Sequence, residues 1–213
     1  MTTIRDTGFA TAWHALAPAP RRCLELAHRA LRTGGLAVGS VLTDADGTIV
    51  AEGRNRAYDP EAEGAEILRG TPLAHAEMNA LAQARTEWDL ATHTLWSTQE
   101  PCSMCAAAAE FTGVGTVRFL AAAPWATATG RPSASARARL TAEPVWRTAA
   151  TVLFLRSVVE AAGTESETVR RMAGTDPVTT AIATDDGFPD ASTPELLLAA
   201  LWGGIVEAAD RLA

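Results

Sequence analysis

Five residues near the middle of the chain have the types and the spacing of a catalytic metal site. His75 and Glu77 are separated by one residue, and Cys102 and Cys105 follow Pro101 with the spacing of a CxxC motif. One imidazole and two thiolates occupy three corners of a tetrahedral Zn²⁺ and leave the fourth corner for water. The sequence therefore predicts one catalytic zinc ion per chain, with His75, Cys102 and Cys105 as its ligands.

Glu77 is predicted to move protons rather than to bind the metal. On a helix starting near Leu73, its side chain points to a different side from that of His75. Glu77 is thus expected to take a proton from the water, pass it to a ring nitrogen and assist the departure of ammonia. Two proton transfers by one carboxylate favour hydrolysis of an amino-heterocycle over metal storage.

Less demanding interpretations of the same residues remain open. A lone CxxC is often a redox pair or half of a structural zinc site. A structural site needs a fourth protein ligand, and His14, His28 and His93 are the histidines left to supply it. Each is better explained as a surface or core residue. A non-catalytic zinc-binding partner protein is a third possibility, and the presence of Glu77 argues against it.

Composition places the chain among ordinary globular proteins. Of its 213 residues, 47% are hydrophobic and 20% are charged. A net charge of −7 gives no overall attraction to a phosphate backbone. Three cysteines, two of them in the CxxC, with no signal-like start, favour a reducing cytoplasm. No apolar stretch approaches the ~18 residues of a membrane span.

Helical and strand patterns alternate along the first part of the chain, which predicts an α/β sheet covered by helices. Helices are expected over 10–32, 73–85 and 101–112, and strands over 36–43, 48–53, 93–97 and 116–120. A long irregular connection over 54–72 separates the second strand from the second helix, and such connections are often functional.

Beyond residue 121 the pattern weakens. A loop with a short helix is expected over 121–142, and helices are expected over 165–173 and 195–212. The apolar segment 149–162 fits a strand or a buried helix, and the helix is favoured. The sequence thus predicts two parts, a catalytic core over 1–125 and a largely helical C-terminal extension over 126–213 packed on that core.

Two segments resemble the cytidine deaminase-like superfamily of zinc hydrolases. Residues 71–81 read T-P-L-A-H-A-E-M-N-A-L and residues 95–106 read L-W-S-T-Q-E-P-C-S-M-C-A. The H-A-E form and the E-P-C-x-M-C context are similar to the branch that holds tRNA adenosine deaminases, guanine deaminases and fungal cytosine deaminases. The resemblance covers roughly residues 10–125. It implies a three-layer α/β/α sandwich around a five-stranded mixed sheet, and a homodimer.

The resemblance also implies substrate-binding residues. Asn55 matches the asparagine that reads the substrate at the end of the second strand, although a turn residue would also fit there. The backbone N–H of Ala76 is implied as a further contact. The sequence departs from the family pattern after Leu120. There Trp125 is a candidate to stack on a base, with a packing role equally favoured, whereas Trp96 is expected to pack in the core.

A small heterocycle is the favoured substrate class. An acidic loop near the expected pocket and the acidic overall charge disfavour a folded nucleic acid, despite a local group of arginines. The acidic residues are Glu61, Glu63 and Glu66, and the arginines are Arg131, Arg137, Arg139 and Arg147. Branch resemblance alone favours a purine base such as guanine. Cytosine or cytidine is close behind, and a tRNA adenosine deaminase is the remaining alternative.

Overall fold

Five strands form one mixed sheet. A computed structural model describes residues 8–60, 68–122, 138–140 and 143–211. The strands are β1 (Gly39–Thr43), β2 (Ile49–Arg54), β3 (Thr94–Gln99), β4 (Thr116–Ala121) and β5 (Ala138–Leu140), in the spatial order β2-β1-β3-β4-β5. β1 is antiparallel to both β2 and β3, whereas β3, β4 and β5 are parallel. The predicted five-stranded mixed sheet is confirmed.

Helices cover both faces of this sheet. Leu42 and Leu95 point to the face packed by α3 (Ala76–Leu81) and α4 (Ser103–Phe111). Their neighbours Val41 and Trp96 point to the other face, which is packed by α2 (Pro18–Arg32). Because side chains alternate across a strand, both faces of β1 and β3 need apolar residues. The predicted three-layer α/β/α sandwich is confirmed.

The first predicted helix, over 10–32, is two helices. α1 (Phe9–Ala15) ends before Leu16, and α2 begins at Pro18. A continuous helix is excluded because a proline in a helix interior lacks the N–H for the hydrogen bond and clashes with the preceding turn. At the first turn of a new helix the same residue is favourable. The helix predicted over 73–85 is also shorter, since α3 covers six residues.

The C-terminal region contributes four helices, α5 (Pro144–Ala162), α6 (Glu167–Thr175), α7 (Pro177–Thr184) and α8 (Pro194–Arg211). Three of them correspond to predicted helices. α7 was not predicted, although the Asp176 side chain accepts a hydrogen bond from the Thr179 N–H and Pro177 occupies the first turn. Both are helix-start signals.

β5 is the other element that the sequence did not predict. It lies in the segment expected to be a loop and a short helix, and it pairs in parallel with β4. α5 packs between α2 and α8 in the largest apolar cluster, through residues such as Leu24, Leu153 and Leu198. The division of the chain after residue 125 stays a prediction.

The third cysteine and the length of the helices complete the description. Cys23 is fully buried on α2, where burial raises the pKa of its thiol. Within the described residues, no helix combines the length and the apolarity needed to cross a bilayer.

Candidate metal and substrate site

Two helix starts bring the three expected metal ligands together. His75 immediately precedes α3, Cys102 immediately precedes α4, and Cys105 lies in the first turn of α4. His75 Nδ1 is 3.6 Å from Cys102 Sγ and 3.5 Å from Cys105 Sγ, and the two sulfurs are 3.6 Å apart. Zn–N and Zn–S bonds of about 2.0 and 2.3 Å at tetrahedral angles require ligand separations of about 3.5–3.8 Å. The three atoms have the spacing of a zinc site.

The contact between the two thiols shifts their pKa values in opposite directions. Hydrogen bonds from Cys105 and His75 lower the pKa of the Cys102 thiol to about 4, against the opposing effect of burial. The pKa of Cys105 is raised instead, because its contact with Cys102 and its burial both favour the protonated thiol. The hydrogen bond to Cys102 raises the pKa of His75. A bound cation is what allows both sulfurs to ionise together.

The remaining histidines lie elsewhere. His14 and His93 contact backbone carbonyls of Ala10 and Asp89, and His28 contacts the carbonyl of Ala191. Among the described residues, His75, Cys102 and Cys105 form the one group of this kind with metal-ligand spacing. Three protein ligands leave a tetrahedral corner for water, which is the arrangement of a catalytic rather than a structural zinc site.

Glu77 lies beside this group, deep in the protein. Its side chain is 3% exposed, and burial raises the pKa of the carboxyl group. Ser97 Oγ donates to Glu77 Oε1 at 2.8 Å, and Cys105 Sγ lies 3.5 Å from Glu77 Oε2. Ser97 fixes one carboxyl oxygen, which leaves the other on the side of the metal ligands. Ser97 belongs to the second motif segment, but the sequence assigns it no role, because nothing local indicates which way a strand residue points.

The start of α3 is held against the end of β2. A side chain on Gly53 would place its Cβ 2.3 Å from the Ala76 carbonyl oxygen, so only glycine permits this approach. The Arg56 N–H donates to the Ala74 carbonyl at 2.8 Å, and Asn79 Nδ2 donates to the Arg54 carbonyl at 3.2 Å. These contacts fix the distance between the predicted metal ligand His75 and the residues that follow β2.

Asn55 directly follows β2 and is 2% exposed. Its backbone N–H donates to the Val38 carbonyl at 2.9 Å, and its side-chain Oδ1 accepts from the Ala57 N–H at 3.1 Å. The second contact is the turn interaction that the sequence left open as an alternative. Asn55 also lines the cleft beside His75 and Glu77, so the turn holds an amide at the position expected for a substrate reader.

A buried ion cluster fixes the loop on either side of Asn55. Arg54 makes a two-pronged contact with Asp59 at 2.9 and 2.6 Å, and Arg56 Nε donates to the same carboxylate at 2.9 Å. Burial tends to raise the pKa of Asp59, but the two arginines outweigh it and hold that pKa below its usual range. Arg54 also donates to the Asn55 carbonyl. The backbone of Asn55 is therefore held from both sides.

A cleft of about 440 Å³ opens beside these residues. This volume is within the range of small-ligand sites. Sequence reasoning placed Asn55, His75, Glu77 and Cys102 near the site, and all four line the cleft. The lining residues that it missed are Leu36, Val38, Tyr58, Gln99, Glu100, Phe154, Val158, Ala161, Ala162 and Thr168.

The last two predicted substrate contacts have different outcomes. Ala76 is fully buried as the first residue of α3, where a backbone N–H has no acceptor within the helix. Trp125 lies outside the described residues. Trp96 is half-buried against α2 with the Arg118 guanidinium 5.3 Å from its ring centre, in keeping with a packing role.

Comparison with known proteins identifies the class. Residues 16–121 match the family model described as the cytidine and deoxycytidylate deaminase zinc-binding region. This chain belongs to the cytidine deaminase-like superfamily, and its cofactor is one zinc ion. It is 40% identical over 91 residues to a tRNA-specific adenosine deaminase of Haemophilus influenzae, covering 41% of this chain and 47% of that protein.

Two other comparisons bear on the fold and the relatives. A cytosine deaminase of Candida albicans is 30% identical over 90 residues, covering 40% of this chain and 52% of that protein. The solved guanine deaminase of Nitrosomonas europaea has the same fold, with a TM-score of 0.51 and 24% identity over 69% of this chain and 87% of that one. The matched segment spans about half of the curated relatives from Haemophilus and Candida.

Proposed function

We propose that the chain is a zinc-dependent hydrolytic deaminase of a small nucleobase-like heterocycle. In this reaction, water and an amino-heterocycle give the corresponding oxo-heterocycle and ammonia. The observation that carries the proposal is the buried Glu77 carboxyl group, which lies beside the His75, Cys102 and Cys105 ligand group on the wall of a ligand-sized cleft.

Each residue has a defined role in this proposal. His75, Cys102 and Cys105 hold the zinc, which lowers the pKa of a water molecule towards neutrality when bound. Glu77 accepts a proton from the attacking water and delivers it to the ring nitrogen, and a second proton transfer lets the amino group leave as ammonia. Burial raises the pKa of Glu77, which suits a carboxyl group that both accepts and donates a proton.

Substrate orientation is assigned to Asn55 and to the backbone N–H of Ala76. Asn55 is held by the turn to Ala57 and by the Arg54–Asp59–Arg56 ion cluster, so its amide is preorganised before the substrate enters. Preorganised donors lose little conformational freedom on binding, which favours the productive orientation of the ring.

The far wall of the cleft supports a small substrate over RNA. This wall is made by α5, through Phe154, Val158, Ala161 and Ala162. Apolar side chains suit the face of a flat ring. The described residues that line the cleft include no arginine, and the chain has no lysine, so this lining offers neither of the side chains that usually bind a phosphate.

A purine base such as guanine is the preferred substrate within this class, on motif resemblance. Cytosine or cytidine comes next. Deamination of adenosine in tRNA is the remaining candidate, and the identity to the Haemophilus influenzae protein of that name favours it. A homodimer remains a prediction from the resemblance.

Ammonia release from a panel of compounds tests the proposal. The zinc-loaded protein is assayed with guanine, adenine, cytosine, their nucleosides and tRNA, and a parallel Glu77→Gln preparation controls for contaminating deaminases. We expect turnover of a free base, with guanine the fastest. Turnover of tRNA with none of the small compounds would reject the small-substrate assignment.

A further inference from the structure

Gln99 and Asn55 have similar environments, but the protein binds the amide nitrogen of Gln99 and the amide oxygen of Asn55. Both residues are 2% exposed and both line the cleft. Gln99 Nε2 donates to the Ala150 carbonyl of α5 at 3.1 Å, which fixes the orientation of the amide because only its nitrogen can donate. Asn55 Oδ1 is used by the Ala57 N–H. Each amide therefore has one end occupied by the protein.

The other end of each amide is free to meet a ligand. Among the described residues, neither Gln99 Oε1 nor Asn55 Nδ2 has a hydrogen-bond partner. The polar side-chain atoms that are both fully buried and without a partner are on other residues. Gln99 Oε1 and Asn55 Nδ2 thus keep some accessible surface. Because both residues are deeply buried and line the cleft, we infer that this surface faces the cleft.

The two free ends form a donor and acceptor pair. Asn55 presents an N–H donor, and Gln99 presents a carbonyl acceptor. A ligand that fills the cleft without pairing them would leave two buried polar groups without hydrogen bonds, which is unfavourable. A heterocycle that has an acceptor atom on one edge and an N–H on another satisfies both.

We propose that Gln99 is a specificity-determining residue whose Oε1 accepts a hydrogen bond from a ring N–H of the substrate. This inference rests on the proposed function and narrows its substrate class. The cleft then selects amino-heterocycles that carry an unsubstituted ring N–H together with an acceptor. Free bases meet this condition at the nitrogen that carries the sugar in nucleosides, whereas a nucleoside of adenine or cytosine has lost that N–H.

Binding measurements with methylated bases test the role of Gln99. Affinities of guanine and of 1-, 3-, 7- and 9-methylguanine are measured by calorimetry on zinc-loaded Glu77→Gln protein, which binds without turnover. The same series is repeated with Gln99→Met added. Methionine has a similar length, so the clash of a methyl group with residue 99 stays nearly constant while the acceptor is lost. If the panel selects another base, 1-methylcytosine or 9-methyladenine replaces this series.

We expect Gln99→Met to weaken binding of the unmethylated base by at least about fivefold. Methylation at one ring nitrogen should weaken binding to the protein that keeps Gln99. The loss of affinity caused by the same methyl group should be at least about fivefold smaller in the Gln99→Met protein. Val158→Ala is the matched control, because it alters the same cleft without removing a polar group. It should change the affinities for the methylated and unmethylated bases by the same factor.

Equal affinity of the unmethylated base for the Gln99 and Gln99→Met proteins would overturn the assignment. Equal methylation penalties in the two proteins would overturn it as well. Gln99→Leu is the second variant if Gln99→Met does not fold, as judged by thermal unfolding and zinc content. Failure of the proposed function itself would give a different result, because the wild-type protein would then release no ammonia from any free base.

Discussion

The two ends of the cleft are built in different ways. At the metal end, polar groups are held by directional contacts, such as the hydrogen bond from Ser97 of β3 to Glu77 of α3 and the one from the Arg56 N–H to the Ala74 carbonyl. At the far wall, α5 presents apolar side chains such as Phe154 and Val158, whose positions depend on packing.

This contrast coincides with a boundary in the comparisons. The metal end lies within residues 16–121, which match the family model, whereas α5 spans Pro144–Ala162 outside that match. The polar groups beside the candidate metal ligands thus lie in the matched part of the chain, whereas the apolar far wall of the cleft lies outside it. Gln99 joins the two, because it lies at the end of β3 and donates to Ala150 of α5.

Removing a metal ligand is expected to have the largest effect. Cys102→Ala leaves two ligands, so the zinc content should fall well below one per chain and ammonia release should fall to background. Elemental analysis and the ammonia assay measure both. Cys23→Ala, which removes the fully buried third cysteine on α2, should keep its zinc. One zinc per chain in Cys102→Ala protein would contradict the assigned ligand set.

Glu77→Gln tests the metal end without removing the metal. We expect full zinc content and a loss of about 10²–10⁴ in kcat, since the amide cannot carry the proton. Steady-state kinetics and metal analysis on the same preparation separate the two effects. Glu110→Gln, on an exposed position of α4, is the control and should leave kcat unchanged. Undiminished turnover by Glu77→Gln would rule out Glu77 as the proton carrier.

Val158→Phe tests the far wall alone. The larger side chain occupies substrate space on α5, so KM for the best small substrate should rise roughly tenfold while zinc content stays the same. A kinetic series over the panel of bases would also show whether the order of preference changes. Loss of zinc from Val158→Phe protein would contradict the assignment of metal binding and substrate space to different ends of the cleft.

Asp59→Asn is expected to lower the stability of the fold. Breaking the buried pair leaves Arg54 and Arg56 without their carboxylate, at a cost on the order of 3 kcal/mol in free energy of unfolding. The folded-state pKa of Asp59 is lowered, so its stabilising effect is complete above the usual value of about 3.9 and is lost as the pH falls further.

Urea unfolding at several pH values measures this effect. The difference between wild type and Asp59→Asn should be constant at neutral pH and should shrink as the pH falls below about 4. A difference that grows towards acid pH would contradict the assigned role of the carboxylate.

The metal end could be predicted because its residue types carry its chemistry. An imidazole, two thiols and a carboxylate at these spacings suit few roles besides catalytic zinc binding, so His75, Glu77, Cys102 and Cys105 are evident in the sequence. Asn55 follows from family resemblance. Four of the five strands follow from the strand and helix patterns, whereas a fifth strand was implied by the family resemblance alone. The break before α2 was missed because the apolar spacing continues across it, although Pro18 is a helix-start residue.

The far wall could not be predicted in the same way. Phe154 and Val158 are ordinary core residue types, and only the packing of α5 shows that they meet the cleft. Gln99 belongs to the second motif segment, yet its role depends on a contact with Ala150, which is 51 positions away in the chain. β5 is three residues long, too short to give a periodic pattern.

α5 is a single rod of 19 residues, about 28 Å long. Its first half is buried with α8 in the largest apolar cluster, and its last turns line the cleft. A substitution at Ile205 of α8 therefore alters the apolar cluster that holds the first half of α5, while the last turns of the same helix line the cleft. We therefore expect variants selected for a new substrate to carry substitutions in α8, away from the candidate metal ligands, more often than in α3 or α4.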